Sequence, residues 1–157
     1  MQIHKPYKFK RDRKLRPDLG RPSARVPRPV QFTEELLTGQ VQNRQAQAGE
    51  ERLARAFAEH PNVQWFRFEL ALGAPENAPG WFQLDYLLQS LILLYAIEVD
   101  TVFTHRRKAE ADRIHDAKVL QEIQIYGQSW PNVIHVDAET HMATQDQADR
   151  FVRSLLG

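Results

Sequence analysis

Cysteine is absent from all 157 residues, so disulfides and thiolate zinc sites are excluded. Long hydrophobic runs are also missing. The longest apolar stretch, Leu84 to Val99, is broken by Asp85, Gln89, Ser90 and Glu98, and such a run is neither a membrane span nor a signal-peptide core. No membrane partner is expected, and a cytoplasmic, intracellular location is. No internal repeat is visible, and the length suits a single domain with a core of its own.

Acidic residues are scarce at one end. Between Met1 and Val30 there are ten Lys or Arg against only Asp12 and Asp18, a local charge of +8. Because the whole chain carries +1, the remainder carries −7. The same stretch holds Pro6, Pro17, Pro22, Pro27 and Pro29 and has neither a helical nor a strand period. Residues 1–31 therefore read as an extended basic arm, and 32–157 as an acidic globular domain. Arms of this kind commonly meet nucleic acid or another polyanion. The densest cluster, Lys8, Lys10, Arg11, Arg13, Lys14 and Arg16, is the expected nucleic-acid contact. The plainer reading is a solvated tail.

Beyond the arm, the spacing predicts a helix capped by Thr33, interrupted near Gly39 or Gly49 and stopped at Pro61. Strands follow at Trp65 to Leu70 and at Trp81 to Leu88. Gln89 and Ser90 then mark a tight turn into "LILLYAIEV", a central strand apolar on both faces. A helix begins near His105, with Ile114, Ala117 and Leu120 as its apolar stripe and Gly127 as its cap. Asn132 to Val136 reads as a last strand and "TQDQADRFVRSLL" as a closing helix. The expected class is α/β, with the order α, β, β, β, α, β, α.

Within this frame, "YAIEVDTVFTH" places Glu98 and Asp100 on one face of a strand, and the short turn brings Asp85 of the preceding strand to the same end of the sheet. Like charges at the edge of a low-dielectric core require a proton or a cation. Two or three carboxylates with a backbone carbonyl suit Mg2+ or Mn2+ rather than Zn2+. A metal so held fits phosphodiester hydrolysis.

The element order, Asp85 in "QLDYLL", Glu98 thirteen residues on in "YAIEVD", and a preceding helix bearing Glu50 or Glu51 resemble the PD-(D/E)XK nuclease superfamily, and within it the very-short-patch-repair-like endonuclease group. The matching residues of that group are Glu98, Asp100, His105, Asp112 and Asp116, and the likeness runs from Gly49 to Val136. It implies a restriction-endonuclease-like αβββαβ core, a mixed sheet flanked by helices. It also implies Mg2+ or Mn2+ on Asp85, Glu98 and the Val99 carbonyl, with Glu50, or alternatively Glu51, reaching the site through water. His105 would be a general acid or base or a phosphate contact, and DNA the substrate. Two positions depart from the pattern: Asp100 stands where the superfamily usually has lysine, and Thr101 where the closer group has glycine. Lys108 or Lys118 would have to replace that lysine in space.

Plainer accounts are also available. Asp85 and Glu98 are salt-bridged to Arg67, Arg106 or Arg107 in one of them. In another, Lys108, Asp112 and His115 form a solvated helix face opposite Ile114. A non-catalytic protein that keeps the fold, its arm docked in a larger assembly such as a virion or ribonucleoprotein, is the alternative to an enzyme.

Overall fold

A computed structural model describes residues 36–100 and 109–157. The basic arm, the Thr33 cap, and the segment with His105, Arg106, Arg107 and Lys108 lie outside the described residues.

The described chain opens on a hairpin, β1 (Gln40–Val41) and β2 (Arg44–Gln45), turned by Gln42 and Asn43 at φ 51° and 66°. Two consecutive left-handed residues are the requirement of a type I′ turn. The hairpin occupies sequence that the periodicity assigns to helix. The helix α1 (Ala48–Glu59) instead starts after Gln47, whose N–H donates to Glu50 Oε1 at 2.9 Å. This is the reciprocal arm of a capping box. The helix stops before Pro61 as the sequence predicts.

Four strands follow: β3 (Val63–Leu72), β4 (Phe82–Ser90), β5 (Leu94–Asp100) and β6 (Ile134–Asp137). They form one mixed sheet in that order, antiparallel from β3 to β5 and parallel between β5 and β6. Between β5 and β6 runs α2 (Ala109–Glu122), extended by a 3-10 turn (Ile123–Tyr126) and closed at Gly127. Two helices, α3 (Ala138–His141) and α4 (Gln145–Leu156), complete the chain. The protein is thus α/β with a four-stranded mixed sheet flanked by helices. Among the described residues, no helix is long and apolar enough to cross a membrane.

The β4–β5 turn lies later than the sequence predicts. Gln89 and Ser90 belong to β4, and Leu91 and Ile92, read as strand, are 60% and 83% exposed. Ser90 organises this turn: its Oγ accepts the N–H groups of Ile92 and Leu93, and its own N–H donates to the Leu93 carbonyl. Serine can thus satisfy a turn internally.

Each face of the sheet has its own core. On one, Leu53 and Phe57 of α1 and Ala148 and Val152 of α4 pack on Phe66, Phe68, Tyr86, Leu88, Ile97 and Val99. On the other, Val119 and Ile123 meet Leu84, Leu87, Leu94 and Ala96. Burial on both sides accounts for the apolar run of β5. The inward stripe of α2 is therefore centred on Val119 and Ile123, and of the expected 114, 117 and 120 Leu120 packs, partly buried, against this core. Ile114 is 54% exposed and Ala117 is exposed as well. A stripe spaced by four residues also turns His115 inward.

The hairpin also reaches the sheet. The Gln42 side-chain amide donates to the Phe66 carbonyl at 2.7 Å and accepts the Phe68 N–H at 2.8 Å, on β3, which among the described residues lies at the edge of the sheet.

Candidate functional site

In the β4–β5 ladder Tyr86 pairs with Ile97, so one more antiparallel step sets Asp85 beside Glu98. Alternation along β5 places Glu98 on the α2 face with Ala96, and Asp85 meets it there through a side-chain hydrogen bond. Glu98 is only 8% exposed. The Val99 N–H donates to Asp85 Oδ2 at 2.7 Å. Burial first, then the Glu98 charge and hydrogen bond, push the Asp85 carboxyl up to about 9, with the Val99 N–H opposing them. At neutral pH Asp85 holds a proton, as expected of two carboxylates that cannot both ionise in one buried place.

The strands are distorted at this point. Phe68 pairs with Tyr86 and Leu70 with Leu84, yet the first pair packs in the α1-side core and the second in the α2-side core. A regular period of two would keep all four on one face. The phase slips between them, at Glu69 and Asp85. Glu69 has φ 50°, an uncommon conformation for a residue with a side chain. Its carboxylate accepts Arg44 Nη1 at 3.3 Å and Gln83 Nε2 at 3.2 Å, contacts that brace the irregularity. Irregularities of this kind re-aim side chains beside sites.

The remaining predicted residues divide. Glu50 stands close enough to raise Asp85 further by its charge, and its own carboxyl is raised by burial, offset by the Gln47 N–H and reinforced by Glu69. Its alternative, Glu51, is fully buried and structural. It accepts the N–H groups of Thr38 and Gly39 at 2.8 and 2.6 Å and pairs with Arg55 at 2.8 Å. Asp100 does not converge with Asp85 and Glu98, because it turns to His135 Nδ1 at 3.3 Å. The other nitrogen of that ring meets Asp116 at 2.7 Å. Burial works against charge on His135, but the Asp116 hydrogen bond and the charges of Asp116 and Asp100 outweigh it and raise its pKa. Asp100 is thus engaged elsewhere because β6 lies parallel beside β5, with Asp100 and Asp137 in register and His135 beside Glu98.

His105, expected as the acid or base, and Lys108, one of the two residues expected to replace the missing lysine, lie outside the described residues, and the other, Lys118, is exposed on α2. The ring that meets the pair is His115, with Nε2 at 2.8 Å from Glu98 Oε1. A stripe through Ile114 and Ala117 turns His115 to solvent, whereas His115 lies four residues before Val119 and eight before Ile123.

Among the described residues no group of three or more His, Asp or Glu side chains is placed to hold a metal ion. The Asp85/Glu98 pair nonetheless fits Mg2+ or Mn2+, since Mg2+ retains several waters and is usually held by one or two carboxylates together with substrate phosphate. A divalent cation would also displace the proton that the pair otherwise shares. Comparison with family models, curated proteins and solved structures finds no match to this chain.

Proposed function

We propose that the protein is a metal-dependent nuclease of restriction-endonuclease-like fold that hydrolyses phosphodiester bonds of DNA, akin to the very-short-patch-repair-like endonuclease group. The observation that carries this reading is the buried pair, Asp85 and Glu98, side by side on adjacent strands at a local distortion of the sheet. Perturbed carboxylates in such positions are candidates for chemistry. Asp85, Glu98 and the Val99 carbonyl would hold Mg2+ or Mn2+, which when bound neutralises phosphoryl charge and acidifies an attacking water. Glu50 would reach the same space through water. The low-dielectric surroundings of Asp85 and Glu98 strengthen every charge interaction made there. His105 is the proposed proton-transfer group. Conversion of supercoiled plasmid to nicked or linear DNA in Mg2+, absent in chelator, is the expected result, and intact plasmid at high protein concentration would overturn it.

One observation favours a second reading, a nucleic-acid-associated or structural assembly protein that kept the fold without the chemistry. Asp100 fills the usual lysine position and is bound to His135, so no cation comes from that position. In that case the arm would dock in a larger particle, such as a virion or ribonucleoprotein.

Both readings give the arm a polyanion. Each phosphate neutralised by Lys or Arg releases condensed counterion, so affinity should fall steeply with salt. Deleting residues 1–30 is expected to flatten the slope of log affinity against log salt by several units while leaving the melting temperature unchanged. A slope that survives the deletion would place DNA binding on the acidic domain.

A further inference from the structure

The usual lysine of the resembled pattern is absent, and the described residue that reaches the carboxylate pair from the helix is His115. Its Nε2 lies 2.8 Å from Glu98 Oε1. The ring is held from a second side by Phe82, edge-on with centroids 5.9 Å apart and planes at 75°. The next residue, Asp116, binds His135, which in turn binds Asp100. Consecutive residues of α2 are therefore tied, one directly and one through β6, to the two acids that β5 presents on a single face. A side chain fixed by its neighbours in this way can orient another group to within a fraction of an ångström.

We infer that His115 is a positioning residue for a divalent-cation site: by donating Nε2–H to Oε1 it fixes the Glu98 carboxylate and so sets the direction of its second oxygen, the one left for a cation shared with Asp85. The inference rests on the nuclease reading but does not require that His115 touch substrate or change charge. It accounts for a site that lacks the lysine: the group supplied from the helix orders a ligand instead of meeting the nucleophile. Partners that orient metal ligands commonly change metal affinity by about 10- to 100-fold when removed.

The test is a Mn2+ titration of the full chain, with free Mn2+ followed by electron paramagnetic resonance, on wild type, Glu98→Gln, His115→Ala and His115→Gln. Glutamine places its Nε2 at nearly the same distance from the backbone as the histidine Nε2, so it can donate to the same oxygen. His115→Ala is expected to weaken Mn2+ binding by about 10- to 100-fold, and His115→Gln to recover most of that loss. Should the Ala variant not fold, His115→Asn, whose amide is too short to reach Oε1, provides the same contrast with Gln. Wild-type affinity in the Ala or Asn variant would overturn the positioning role. So would a Gln variant as weak as Ala, because packing alone would then be at stake. A wild-type chain that binds no Mn2+ would instead overturn the metal-site reading, and the inference with it, whereas binding lost only in Glu98→Gln leaves that reading standing and removes His115 from it.

Discussion

Glu98→Gln is expected to lower Mg2+-dependent DNA cleavage by at least about 10³-fold, a loss of about 4 kcal/mol of transition-state stabilisation. The substitution changes almost nothing but charge. A glutamine carbonyl can still accept from His115, so the contact at 2.8 Å between α2 and β5 persists and the fold is retained. What disappears is one of the two carboxylates that meet side by side on β4 and β5. With Asp85 alone, a cation has a single anionic ligand in a place where its hydration shell is already being stripped. The same variant should lose the metal-induced gain in stability. For wild type at a metal concentration 100 times the dissociation constant that gain is about 2.7 kcal/mol, a rise in Tm of about 5 to 10 °C for a chain of this length. Cleavage at wild-type rate by Glu98→Gln would move the chemistry away from β5.

Asp85→Asn should instead stabilise the metal-free protein, increasingly so as pH rises above about 4. Burial and the neighbouring Glu98 push the Asp85 carboxyl up to about 9, whereas in the unfolded chain it titrates near 3.9. A group bound more tightly to its proton in the folded state contributes stability that is complete below about pH 4 and is lost as pH rises through about 9. Wild type should therefore weaken steadily across that window. Asparagine cannot ionise, so its curve should be flatter. At pH 8 the variant is expected to be the more stable, by a margin that grows by up to about 1.4 kcal/mol per pH unit above pH 4, and at pH 4 the two should converge. Added Mn2+ should reverse the order at pH 8, because only wild type has the pair. Thermal melts at several pH values check this, and parallel curves for the two proteins would refute it. A site that costs the apoprotein stability is what selection for function tends to leave behind.

Strand content and chain order were legible in the residues because apolar runs bounded by turns are a strong signal. Asp85 and Glu98 could be placed together since a short antiparallel connection leaves little freedom of register. The entry hairpin was not legible. Its strands have two residues each, and they are held by Glu51 and Gln42 across distances in sequence that no local pattern encodes. The β4–β5 turn was misplaced because Leu91 and Ile92 are apolar but exposed, and Ser90 rather than hydropathy decides where the chain reverses. His115 was assigned to solvent because α2 is weakly amphipathic: two stripes compete, and only packing of Val119 and Ile123 against β4 and β5 selects between them. Asp100 was grouped with Glu98 by strand parity, which is correct for the face. Parity alone does not reveal that His135 of the parallel neighbour reaches it.

The amide of Gln42 has a consequence for how this chain behaves in company. Among the described residues β3, ten residues long, lies at the edge of the sheet, a position from which another molecule can add a strand. At Phe66 and Phe68 one side-chain amide satisfies the carbonyl and the N–H that an incoming strand would use, much as a single peptide unit of a neighbour would. Gln42 thus acts as a guard against sheet-to-sheet aggregation, set where an aromatic-rich segment would otherwise be most adhesive.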